Sequence, residues 1–224
     1  MFAKKFAVAV LVVVGLSGCA LTPGKSSPVE EQVPEEIKNI RVMLARNTQA
    51  YEWFVEEGDY YDPAGLEKIA KEAKKKGETV NFTRRFPKLS NPSMATIAIS
   101  NLVTKNFEND LTENGLKVVR TPCNSCLRVK IDFAHHEGEV TKFIFFVPVT
   151  QKAIYLYARA RVFSPQGKLV FETSDKPVAE SFIGLLESKA HREEITAAEL
   201  AHYVAKELLG LIAKTRQQLL AAQQ

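Results

Sequence analysis

An α+β fold, with helices packed on one face of a mainly antiparallel sheet, is what three features of this 224-residue sequence predict. An apolar stripe at helical spacing follows Pro92, a second follows Thr196, and between them "LRVKIDF" and "AIYLYARARVF" alternate apolar and polar residues as strands do. With 46% hydrophobic and 25% charged residues, the chain has enough apolar side chain for one core, and its composition is neither that of a disordered chain nor that of a polytopic membrane protein.

The first element reads as a leader. Lys4 and Lys5 precede an apolar run from Ala7 to Leu16, and the small residues Ser17 and Gly18 lead into Cys19. Such a run is shorter than the roughly 20 residues a helix needs to cross a bilayer, and it has the layout of a secretory signal. Residues 20–36, "ALTPGKSSPVEEQVPEE", combine prolines, small turn-formers and glutamates with little to bury, and read as a tether. A flexible chain of that length has a root-mean-square reach of about 20–25 Å. The expected division is therefore a leader over 1–18, a tether over 19–36 and a single domain over 37–224.

"IKNIRVMLA", Ile37 to Ala45, is rich in β-branched residues and fits a first strand, with a helix as the alternative. "NTQAYEWFVEEGDYYDP" reads as an aromatic-rich loop, ending at Asp62-Pro63, an N-cap followed by proline at the first helical position. A helix is predicted from Ala64 to Lys76, closed by Gly77, and a strand from Thr79 to Phe86. The next helix opens at Ser93 and closes at Asn114-Gly115, with Met94, Ile97, Ala98, Leu102, Phe107 and Leu111 as its apolar stripe. "LKVV" follows as a strand. In "LRVKIDF", Leu127, Val129, Ile131 and Phe133 share one face while Arg128, Lys130 and Asp132 share the other, which predicts a sheet with one wet face. Ala153 to Phe163 forms another strand, "SPQGK" a turn, and "LVFET" its hairpin partner. The last helix is predicted to open at Thr196, with Glu199 completing a capping box, and to bury Leu200, Ala201, Val204, Leu208, Leu211 and Ile212.

Three stretches bear on chemistry. "CNSC", Cys123 to Cys126, sits in a turn between strands; after export it would meet an oxidising compartment, where a disulfide is the leading reading. A redox pair is the sharper alternative, but redox cysteines sit where a helix start lowers the thiol pKa, and this pair precedes a strand. A metal reading adds His135 and His136, yet adjacent strand residues point to opposite faces and meet one ion with difficulty, so no metal is expected. "KFIFFVPVTQK", Lys142 to Lys152, is an apolar run holding Phe143, Phe145, Phe146 and Val147. Pro148 disfavours a central strand, leaving an edge strand or loop folded over the core, or an exposed patch that docks a partner or acyl chains.

The sequence has four histidines and lacks G-x-S-x-G, a Walker loop and H-E-x-x-H, so neither catalysis nor a cofactor is expected. Loss of Lys4 and Lys5 with the leader would lower the formal charge from +4 to +2, and no clustered basic face argues for nucleic acid.

Leu16-Ser17-Gly18-Cys19 resembles the lipobox of bacterial lipoproteins. That resemblance implies cleavage before Cys19, a diacylglyceryl group on its sulfur and a third acyl chain on its amine. Two or more chains anchor a protein stably. Ala20 stands where lipoproteins retained at the inner membrane usually carry Asp, which implies the outer membrane, facing the periplasm. "ISNLVTKNFENDLTENGLKVV", "LRVKIDF" and "IYLYARARVFSPQGKLV" resemble the hydrophobic pattern of small outer-membrane lipoproteins, the YajG-like ones above all, with the lipopolysaccharide-assembly and penicillin-binding-protein activator lipoproteins similar in architecture. The resemblance implies a non-enzymatic adaptor that binds another envelope component, or an accessory that binds lipid or lipopolysaccharide in envelope transport.

Overall fold

A computed structural model describes residues 34–65, 86–181 and 188–222. The predicted leader, Cys19 and most of the predicted tether lie outside these residues. So do the predicted helix from Ala64 to Lys76 and the predicted strand from Thr79 to Phe86, save their ends. Ala64 keeps one sign of a cap, its N–H donating to Asp62 Oδ1 at 3.0 Å.

The described chain runs α1 (Glu35–Arg46), β1 (Glu52–Tyr61), α2 (Met94–Glu113), β2 (Lys117–Val119), β3 (Leu127–Ile144), β4 (Val147–Phe163), β5 (Leu169–Glu172), β6 (Lys176–Ser181) and α3 (Lys189–Ala221). The sheet order is β2-β1-β3-β4-β5, with β6 also paired to β4. β1 runs parallel to β2 and β3, and the pairings of β4 with β3, β5 and β6 are antiparallel. The helices pack against the sheet, giving the expected α+β arrangement.

Two segments differ from their sequence reading. Ile37 to Ala45 lies within helix α1, where the three- and four-residue steps between Ile37, Ile40 and Leu44 outweigh β-branching. Glu35 and Glu36 in its first turn and Arg46 in its last suit the helix dipole. The aromatic segment read as a loop is strand β1, whose Trp53 and Val55 are buried in the core. Its pairing with β3 shifts between Glu57 and Tyr60, so the strand tolerates the turn-like residues Gly58 and Asp59 as a bulge.

Ser93 caps α2 as expected, accepting from the Thr96 N–H, and Gly115 follows with φ +81°. The stripe that meets the sheet is Ile99, Val103, Phe107 and Leu111, spaced strictly by four, and Met94 points outward. α3 opens before Thr196, at Lys189, with Ser188 as the cap whose hydroxyl accepts from the His191 N–H. Thr196 lies inside the helix and donates to Arg192 O at 2.7 Å, so it is not a capping residue. Ala197, Leu200, Ala201, Val204, Leu208 and Ile212 of α3 complete the core with Leu127, Val129, Ile131 and Phe133 of β3.

The face of the sheet turned away from α2 and α3 is not simply wet. Asp132 has no exposed surface, and its Oδ2 accepts from Arg159 at 2.7 Å while its Oδ1 accepts from Arg161 at 2.6 Å and from the Asp59 N–H at 2.9 Å. Arg159 also pairs with Glu172, and Arg161 with Asp59 at 3.0 Å. Burial alone would raise the Asp59 pKa; Lys88 and Arg161 overcome it and hold the carboxyl below its ordinary range. A Cβ on Gly58 would lie 2.4 Å from Asp132 Oδ1, so the bulge needs glycine for its close approach to this network. Gly58→Ala is expected to cost about 1–3 kcal/mol, the usual range for overpacking, measured by chemical denaturation.

Candidate functional site: the β3–β4 hairpin

β3 and β4 pair without interruption from Arg128↔Phe163 to Ile144↔Val147. β1 pairs with β3 only as far as Ala134, and β6 with β4 only as far as Ala153. Beyond these points, residues 139–144 and 147–152 form a two-stranded ribbon with no third strand among the described residues. Six residues at roughly 3.4 Å each carry the ribbon about 20 Å past the sheet. Thr141 and Thr150 face each other on it with hydroxyls 3.3 Å apart.

The ribbon closes on Phe145 and Phe146, with φ of 48° and 68°. Positive φ at both central residues of a two-residue hairpin is the type I′ turn, which matches strand twist and is usually filled by Asn-Gly. Two phenylalanines there carry backbone strain, and they gain no burial in return: Phe145 is 92% and Phe146 98% exposed. Phe143 at 75% and Val147 at 59% extend the apolar tip. Residues 142–144 and 147–152 are thus ribbon strands, as the edge-strand reading has it, and Phe143, Phe145, Phe146 and Val147 are exposed on them and on the turn rather than folded over the core.

Pro148 is tolerated for a geometric reason. Ile144 and Val147 close the turn as a hydrogen-bonded pair, which makes Phe143↔Pro148 a non-hydrogen-bonded one, so the position of the missing N–H faces away from β3. Among the described residues, the pairing of β6 with β4 ends at Ala153.

At the ribbon base, the His135 ring is buried between sheet and α2, its Nδ1 3.3 Å from Thr96 Oγ1. Burial lowers the His135 pKa, although Glu137 pulls the other way. A histidine held neutral in the folded state takes up protons on unfolding below about pH 6.5, so stability falls as pH drops from 7 toward 5. His135→Gln is expected to reduce that fall, read as the difference in unfolding free energy between the two pH values. His136 points to the other face, stacked on Tyr155 with centroids 6.0 Å apart. The two histidines thus diverge, and neither reaches Cys126, roughly 30 Å or more away along an extended strand.

Cys123 and Cys126 are joined in a disulfide, with Cα atoms 5.3 Å apart, in the turn before β3. Glu52 stands beside them; the three make the one group of potential metal ligands among the described residues, but bonded sulfurs offer no thiolate. So short a loop removes little chain entropy, and Cys123→Ser with Cys126→Ser is expected to cost about 2 kcal/mol or less in denaturant unfolding.

A concavity of about 360 Å³ lies on the outer face of the sheet between Asp59, Arg128, Lys130, Arg161 and Phe163. Its charges largely neutralise one another, Arg161 against Asp59 and Asp132, and Lys130 against Glu56 at 3.5 Å. No helix among the described residues is long and apolar enough to cross a membrane.

No protein-family model and no curated protein matches the sequence. Solved structures similar in fold include a minor lipoprotein from Acinetobacter baumannii, 9% identical over 70% of this chain and 91% of that one, with a TM-score of 0.40. A neuraminyllactose-binding hemagglutinin homolog from Helicobacter pylori is 9% identical over 75% of this chain and 90% of that one, TM-score 0.43. Rare lipoprotein B from Shewanella oneidensis is 13% identical over 52% and 89%, TM-score 0.36. These likenesses concern the path of the backbone, and no function passes from those proteins to this one.

Proposed function

We propose that this chain is a non-catalytic accessory protein of the bacterial envelope, of the kind the YajG-like lipoproteins represent, anchored at the outer membrane by acyl chains on Cys19 and facing the periplasm. Its working surface is the tip of the β3–β4 ribbon. The observation that carries the reading is the pair Phe145 and Phe146, almost wholly exposed in a strained turn at the end of a ribbon that has no third strand among the described residues. An arrangement that helps neither core nor turn is explained by what it contacts. Anchoring confines the protein near its target, so a small contact of modest affinity suffices.

The test is a photo-crosslinking residue at position 146 in intact cells, alongside the mass of the purified protein. The reading expects a cleaved, acylated Cys19 and an adduct at 146 that is absent when the crosslinker stands at Asn101 on the exposed side of α2. An unmodified Cys19 together with no adduct at 146 would defeat it.

A further inference from the structure

The ribbon tip and the start of the domain lie at opposite ends of β4. α1 sits at the β4–β5 turn, where Glu36 pairs with Lys168 and Arg41 Nε donates to Val170 O at 2.6 Å. β4 then runs from Phe163 to Val147, a contour of roughly 55 Å at about 3.3–3.4 Å per residue. We infer that the Phe145–Phe146 tip inserts into the interfacial layer of the same phospholipid bilayer that holds the acyl chains, so that the domain lies along the membrane with a contact at each end. This rests on the anchored reading given above.

The chemistry of the tip favours lipid over a protein socket. From Val140 to Gln151 the sequence "VTKFIFFVPVTQ" has one ionisable residue, Lys142, and Lys152 follows; the flanking acid is Glu139, opposite Lys152 at the ribbon base. Insertion therefore strips water from no carboxylate, and the positive charge suits phosphate headgroups. The strands stay paired up to Ile144↔Val147, so the free backbone groups are those of the turn and of the ribbon's two outer edges, and at interfacial depth these stay within reach of water.

Size points the same way. Taking about 150–250 Å² per aromatic side chain, the three exposed rings offer roughly 400–650 Å², short of the about 800 Å² each partner gives a stable protein interface. The tip is convex, and a bilayer needs no matching shape. Two rings alone hold a soluble protein at a membrane only weakly, but for a chain already anchored the second contact is intramolecular.

The experiment uses the full lipidated chain, its acyl mass at Cys19 confirmed first, placed sparsely in phosphatidylethanolamine–phosphatidylglycerol vesicles carrying a nitroxide-labelled lipid. Phe146→Cys is labelled with an environment-sensitive dye; Cys19 and the disulfide leave it the one reactive thiol. The expected result is several-fold quenching and a blue shift at 146, no quenching of the same dye on Asn101→Cys, and loss of the signal at 146 when Phe143 and Phe145 are both replaced by serine. Equal signals at 146 and 101 would overturn the inference, and so would quenching only by lipid in separate, protein-free vesicles. A tip that ignores lipid vesicles yet is shielded in native envelopes would also overturn it, in favour of a protein socket, while leaving the anchored accessory reading intact. An unmodified Cys19 would remove that reading first.

Discussion

Asp132→Ala is expected to destabilise the domain by about 3–5 kcal/mol, the usual cost of removing one partner from a buried ion network. Asp132 is fully buried and is the carboxylate to which both Arg159 and Arg161 donate. Without it, Arg159 keeps Glu172 and Arg161 keeps Asp59, but both guanidinium groups lose their most buried partner, and the Asp59 N–H loses its acceptor. For a domain of this length each kcal/mol shifts the melting temperature by about 2–4 °C, so the drop is on the order of 10 °C. Replacing Arg159 and Arg161 with methionine in the Asp132→Ala background should recover part of the loss, because removing both signs of a buried pair is far less costly than stranding one. Denaturant titration of the parent protein, Asp132→Ala, Arg159→Met with Arg161→Met, and the triple variant checks this. An additive loss, with no recovery, would show that the network does not act as a unit.

The second large effect has the opposite sign for stability. Phe145→Asn with Phe146→Gly installs the residues that a type I′ turn prefers and relieves two side chains of positive φ. A gain of about 1–2 kcal/mol is expected, since a left-handed conformation costs a non-glycine residue roughly that much. With the crosslinker or the dye moved to position 147, which is also exposed at the tip, the same variant should lose the adduct and the lipid contact that the parent shows there. A protein made more stable and functionally inert by two substitutions separates folding from docking, because damage to the fold cannot account for the loss. If instead the variant were destabilised by more than about 1 kcal/mol, the rings would have been packed in solution and the exposed tip would not be the working surface.

Much of this fold was legible because its signals are local. The alternation of Leu127, Val129, Ile131 and Phe133, the Ser93 cap and the turn at Ser164 to Lys168 each state their structure within a few residues. β1 is not legible locally because Gly58, Asp59 and the surrounding acids look like a loop until Asp132, 73 positions away in sequence, accepts from the Asp59 N–H. The Asp132 network draws on β1, β3, β4 and β5, and no spacing rule joins residues so far apart. Thr196 looked like a cap because threonine followed three positions later by glutamate fits that motif as well as it fits a helix interior. At the candidate site, Phe143, Phe145, Phe146 and Val147 were singled out as an apolar run, and the structure brings all four to one tip. The turn itself was hidden because Phe-Phe lacks the glycine or asparagine that normally marks it, although the two threonines, Thr141 and Thr150, stand at mirrored distances from its centre.

The account turns on whether the ribbon tip is covered in the cell, and thiol accessibility measures that directly. With Phe146→Cys as the reactive thiol, labelling by a maleimide in intact envelopes should be at least several-fold slower than in the same protein purified in detergent-free buffer after release of its acyl anchor, while Asn101→Cys reacts equally in both. Equal labelling of position 146 in envelopes and in solution would mean that the two phenylalanines meet only water, and the docking role would fall with them.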